Sequence, residues 1–267
     1  SPRYVGAPVL SCSAAMRAGA GYVTLATTED ALPWIATHLV ETTFAPLPGH
    51  GDEGPGPDAL ARLQELASRY RALLVGPGLG RAPRVVDLVR QVLSGALHGP
   101  RAALVDADAL YALTQIPNWP KQLGLPIVLT PHTGELARLT GMESRQIEAD
   151  RFGVAARYAQ EWGQVLVLKG GPTIVASPTG ALSVNPTGNA LLATAGSGDV
   201  LSGVIAAFLA GGADPFDAAR AGVYAHGLAA DLAAGRFGDR GMVAGDLLPL
   251  LPEAIASILA NDEPATT

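Results

Sequence analysis

Apolar positions follow two rhythms along this chain. Short, nearly continuous apolar runs at residues 22–27, 72–76, 102–106, 126–130 and 165–169 alternate with stretches in which apolar residues recur every three or four positions, as at 58–70 and 84–93. The first pattern predicts strands buried on both faces of a parallel sheet, the second amphipathic helices. After Lys169 the rhythm changes: residues 173–176 and 182–184 flank a Pro178-Thr179-Gly180 turn and predict a hairpin. From Gly196 the pattern is helical, at 198–212, 215–235 and 244–259. Residues 49–57 predict a surface loop and 261–267 a frayed tail. We expect one α/β sandwich: a mostly parallel sheet with an antiparallel edge, between two helical layers.

The chain begins with a helical stretch at residues 5–21 and with Ser1, whereas alternating α/β folds usually open on a strand. The expectation is therefore a single domain over residues 1–267 that lacks its first strand. No internal repeat is visible.

Composition narrows the function classes. Of 267 residues 48% are hydrophobic and 16% charged, which supplies a core and excludes a wholly disordered chain. The net charge of −6, with no basic cluster, argues against nucleic-acid and anionic-membrane partners. No apolar run reaches the roughly 18 residues of a membrane span. The single Cys12 allows no intramolecular disulfide and suits a reducing compartment, so a cytoplasmic location is expected; as a residue it reads as a small buried hydrophobe.

Candidate chemistry collects where strands end. Residues 185–203, NPTGNALLATAGSGDVLSG, are small until Asp199, at the start of a helix. Free N–H groups and the dipole's positive end make Gly196-Ser197-Gly198 an anion site. Asp199 beside it is placed to take a proton from an attacking hydroxyl, the alternative being a helix cap formed by Ser197 and Asp199. VGPGLG (75–80) follows a strand, but Arg81 breaks a dinucleotide fingerprint, so a tight turn and a ligand loop are equally good readings. In open parallel sheets ligands bind beyond the carboxyl ends of strands. That rule puts Gly78, Asp106, His132 and Lys169 on one rim. Asp106 and Glu135 are the carboxylates that offer themselves to a metal; His38, His50, His98 and His226 have no metal-ligand spacing.

Taken together, SPRYVGAP, RAGAGYVT, VGPGLG, DADAL, TPHTGE, VLKGGPT and NPTGNALLATAGSGDVLSG resemble the ADP/ATP-dependent NAD(P)H-hydrate dehydratases of the ribokinase-like superfamily, from Ser1 to about Pro252. The resemblance implies a three-layer ribokinase-like α/β/α sandwich. It implies nucleotide-dependent return of hydrated NADH or NADPH to the reduced cofactor, by phosphorylation of the 6-hydroxyl and loss of phosphate. It further implies Mg²⁺, ADP (or ATP) as phosphoryl donor, a homotetramer, and an epimerase that is fused or separate. Asp199 becomes the base and a hydrate contact; Ala7, Gly78 and His132 match hydrate-binding positions; Lys169, Gly170, Gly171, Pro172, Thr173 and Gly198 match the nucleotide site. Departures are Ser197 for the usual Thr, Thr133 for Pro, and Tyr111 for Asn. The rival readings are a hydroxyl kinase of the same superfamily, acting on a hydroxymethylpyrimidine, a thiazole alcohol or a sugar, and a non-catalytic nucleotide-binding protein.

Overall fold

The computed structural model describes residues 2–50 and 53–261. Residues 51 and 52 of the expected loop and 262–267 of the expected tail lie outside the described residues. The chain enters through α1 (Gly6–Arg17) and β1 (Thr24–Thr28), crosses over by α2 (Leu32–Ala36), and returns as β2 (Thr43–Leu47), which pairs in parallel with β1. Helix α3 (Ala59–Ala67) leads to β3 (Ala72–Val75), and α4 (Pro83–Gln91) to β4 (Ala102–Val105). Next come α5 (Ala107–Thr114), β5 (Ile127–Leu129), α6 (Thr133–Thr140), α7 (Ser144–Ala149) and α8 (Arg151–Trp162). Strand β6 (Val165–Leu168) is followed by the expected hairpin, β7 (Ile174–Ala176) and β8 (Leu182–Val184). Helices α9 (Ser197–Ala210), α10 (Pro215–Phe237) and α11 (Leu251–Asn261) complete the chain.

The main sheet has the order β3-β4-β5-β6-β7-β8; β3 to β6 are parallel and β7 and β8 antiparallel. Alternate side chains of a strand point to opposite faces, and the two cores follow that alternation. Ala103, Val105, Ile127, Leu129, Leu166 and Leu168 face α4, α5, α6 and α8. Leu104, Val128, Val165 and Val167 face Leu201, Ile205 and Leu209 of α9 and Ala218, Ala219 and Val223 of α10. Three layers result, as the apolar runs predict.

One expectation needs correcting. The run at 22–27 does not join the main sheet: β1 and β2 form a separate two-stranded sheet. Between β1 and β3 lies an apolar cavity of about 270 Å³, lined by Leu25, Leu63, Tyr70, Leu73, Val75 and Ala207 among others. Side chains, not a backbone ladder, meet across it, as where Thr24 Oγ1 reaches Tyr70 Oη at 2.5 Å. An apolar pattern tells that a strand is buried but not which strand pairs with it.

The opening helical stretch is held by a close contact. A Cβ on Gly203 of α9 would lie 2.2 Å from the Ser11 carbonyl oxygen and 2.8 Å from Ala14 Cβ, so glycine there lets α1 and α9 touch. Ser11 Oγ then donates to the Asp199 carbonyl at 3.0 Å, which ties α1 to the first turn of α9.

Candidate active site

The carboxyl ends of β3 to β6 converge on the amino end of α9. After β4, Asp106 has extended backbone and stands at the start of α5, but its side chain caps nothing there. Instead it is buried, 2% exposed, and accepts from Lys169 Nζ at 2.8 Å and from Ser202 Oγ at 2.6 Å. Lys169, just beyond β6, also lies 3.6 Å from Glu135 Oε2. Burial works against its charge, but Asp106 and Glu135 outweigh that and raise its pKa. The ammonium sits over the helix terminus: a Cβ on Gly198 would be 3.4 Å from Nζ.

Asp199 is in the first turn of α9, but neither it nor Ser197 caps the helix. The N-cap position is Gly196, with φ +89 and no side-chain cap, and Ser197 Oγ donates to the Leu192 carbonyl instead. Burial, then the charge of Asp106, pushes the Asp199 pKa up to about 6, although Lys169 pulls the other way. The result is a carboxylate beside an ammonium and a helix N-terminus, more basic than an ordinary aspartate. Such an arrangement can accept a proton from a hydroxyl while cationic groups meet a phosphoryl oxygen.

His132 and Glu135 form a reciprocal cap on α6. His132 Nδ1 accepts from the N–H of Gly134 at 3.0 Å, and Glu135 Oε2 accepts from the His132 N–H at 2.9 Å. His132 Nε2 lies 3.5 Å from Glu135 Oε2. His132 and Lys169 are bridged in parallel register, which places the TPHTGE and LKGGPT segments side by side. Gly78, with φ +68, packs on the start of α1: a Cβ would meet Tyr4 O at 2.7 Å, Pro8 Cδ at 2.8 Å and Ala7 Cβ at 3.6 Å. Ala7 and Gly78 are thus neighbours. Asp108, the second carboxylate of DADAL, accepts from the Gly80 N–H and Arg81 Nε, and the Arg81 guanidinium lies 4.8 Å from the Tyr111 ring centroid. Cys12 takes no part; burial pushes its thiol up to about 12.

A model of the NAD(P)H-hydrate dehydratase family matches residues 1–253. The chain belongs to this family. It is 44% identical to a bifunctional NAD(P)H-hydrate repair enzyme of Moorella thermoacetica over 97% of this chain and 48% of that one. To the ADP-dependent (S)-NAD(P)H-hydrate dehydratase of Bacillus subtilis it is 36% identical, over 92% of this chain and 83% of that one. The chain therefore spans about half the length of the first bifunctional relatives it matches. Among solved structures it resembles the ADP/ATP-dependent NAD(P)H-hydrate dehydratase of Bacillus subtilis co-crystallised with ATP/Mg²⁺ and soaked with CoA. The TM-score is 0.79 at 31% identity, covering 96% of this chain and 88% of that one. The fold is ribokinase-like.

Asp106, Glu135 and Lys169 meet beside Gly198 at the start of α9, His132 is bridged to Lys169 through the backbone, and Gly78 packs on Ala7. Thr173 Oγ1 donates to the Gly170 carbonyl and closes the 169–173 turn. Two polar residues escaped the sequence reading. Ser202 looks like one more small residue on α9, and nothing in its neighbours signals that its hydroxyl reaches a strand end. Arg151 looks like a surface charge at a helix start, yet its side chain is only 11% exposed.

Proposed function

We propose that this protein returns hydrated NADH and NADPH to the reduced cofactors in a nucleotide-dependent dehydration. The observation that carries the reading is Asp199 in the first turn of α9, where burial and the charge of Asp106 raise its pKa to about 6. In the proposed sequence Asp199 removes the proton from the hydrate's hydroxyl. That oxygen forms a bond to the terminal phosphorus of ADP or ATP, and the bond from phosphorus to the nucleotide breaks. The ring nitrogen's electron pair then expels phosphate as the C6–O bond breaks, and loss of a proton from C5 to the departing phosphate forms the C5=C6 bond and restores the dihydronicotinamide. Lys169 and the Gly198 backbone N–H meet the moving phosphoryl group, and the 169–173 turn holds the nucleotide. Ala7, Gly78 and His132 bind the hydrated dinucleotide.

Mg²⁺ fits this donor set. Among the described residues no group of three His, Cys, Asp or Glu side chains could cage a metal, but Mg²⁺ is usually held by one or two carboxylates and the nucleotide phosphates. Asp106 is the poorer of the two expected ligands, since Lys169 and Ser202 occupy its oxygens; Glu135 would hold the ion, which would supply charge neutralisation on the phosphates.

The bifunctional relatives support pairing with an epimerase, fused or separate. No described helix is long and apolar enough to cross a membrane; the cytoplasmic homotetramer we propose accords with the free Cys12, which suits a reducing compartment.

Incubating the protein with hydrated NADH, Mg²⁺ and ADP or ATP should restore the near-ultraviolet absorbance of the reduced nicotinamide, with one phosphate released per turnover. A stable phosphorylated product would point instead to a kinase, and nucleotide binding without turnover to a non-catalytic protein.

A further inference from the structure

Arg151 opens α8, away from the strand ends, yet its guanidinium reaches both loops of the site. Nη1 donates to Thr133 Oγ1 at 3.3 Å and to both carboxylate oxygens of Glu148 at 3.2 Å. Nη2 donates to three carbonyls of a single turn: Leu168 and Lys169 at 3.3 Å and Pro172 at 3.1 Å. Nε is buried and has no hydrogen-bond partner among the described residues, so the whole hold rests on the two terminal nitrogens. Thr133 also donates to Glu148, which closes a ring of three side chains. The Thr133 hydroxyl is thus engaged by both Arg151 and Glu148.

The geometry of the peptide unit gives this hold a consequence. C=O and N–H point in opposite directions within one planar peptide. With the Lys169 and Pro172 carbonyls drawn to Arg151, the N–H groups of Gly170 and Thr173 are turned away from the guanidinium, to the other side of the turn. Gly170 fits the same picture: it has φ +153, and a Cβ there would lie 2.5 Å from Nη2. The guanidinium therefore shapes the turn from behind and presents its donors in front.

We infer that Arg151 is a positioning residue that locks the 168–173 turn for nucleotide binding and fixes it to the loop carrying His132. The inference rests on the proposed use of this turn by the nucleotide. A lysine cannot substitute, because one ammonium lacks the planar fork that serves two loops at once.

The test compares Arg151→Met and Arg151→Lys with the wild-type chain, by turnover kinetics, ADP titration calorimetry and amide hydrogen exchange without ligand. Both variants should raise the KM and Kd for ADP by at least about tenfold, from the loss of preorganised donors. Exchange should speed up at residues 168–173, and Arg151→Lys should recover melting temperature more than ADP affinity. Unchanged exchange in this turn, or ADP constants within about twofold of wild type, would overturn the inference while leaving the dehydratase reading intact. Wild-type protein that binds neither ADP nor ATP would sink that reading, and the nucleotide part of this inference with it. Where Arg151→Met does not fold, Arg151→Lys and Thr133→Val, which removes one end of the ring, carry the same measurements.

Discussion

In the proposed reaction Asp199 is a single side chain that serves chemistry at a cost in stability. Its pKa is raised to about 6, chiefly by burial and then by Asp106. As a base it must be ionised, so kcat should fall as pH drops through about 6. The same shift acts on folding in the opposite sense. A carboxyl whose pKa is higher in the folded than in the unfolded state contributes stability below its unfolded value, and that contribution is lost as pH rises to about 6. Asp199→Asn removes a buried charge and breaks no helix cap. We expect a folded protein that retains ADP binding, with turnover at least about a hundredfold lower. Its melting temperature should equal or slightly exceed that of wild type at about pH 8, and the difference should shrink toward about pH 5. Turnover kinetics and thermal melts across pH decide both points. A variant that keeps most of its activity would take Asp199 out of the mechanism.

Between elements, the contact of α1 with α9 ties the first helix to the turn that carries Asp199. Gly203 makes that contact possible, since a Cβ would strike the Ser11 carbonyl oxygen at 2.2 Å. Gly203→Ala should therefore separate the helices, cost roughly 1–3 kcal/mol by overpacking, and lower turnover as the first turn of α9 shifts. Gly235 supplies the control. It lies on the exposed face of α10, with nothing within 4 Å of an added Cβ. Gly235→Ala should stabilise the protein by about 0.5–1 kcal/mol through helix propensity and leave activity unchanged. Chemical denaturation of the two variants gives the signs; a stabilising Gly203→Ala would mean that the helices are not in contact there in solution.

Across the whole molecule, the two sheets differ in how they are covered. Strands β4, β5 and β6 are buried along their full length between helical layers, whereas β1 is half-buried beside the apolar cavity and β2 is exposed at its start. Local opening follows such differences in burial. Amides of β1 and β2 should exchange with solvent at least about a hundredfold faster than those of β4 to β6 in native-state hydrogen exchange. Equal protection would mean that the small sheet unfolds only with the rest.

Much of this was already legible in the chain itself. Continuous apolar runs fix four strands of the main sheet because both of their faces must be buried, and the Pro178-Thr179-Gly180 turn marks the hairpin. The small residues before Asp199 announce a helix terminus that backbone donors can open to an anion. Local sequence could not decide which strand pairs with which: the run at 22–27 reads as a strand, yet β1 lies across a cavity from β3. Nor could it find the hold of Arg151 on the 168–172 carbonyls, Ser202 or the partner of Asp106, because those contacts join residues 17 to 96 positions apart. Periodicity and turn chemistry act over a few residues and can be read from order alone. Pairing, burial of charge and hydrogen bonds between distant segments depend on where the folded chain brings them, and only the tertiary structure decides that.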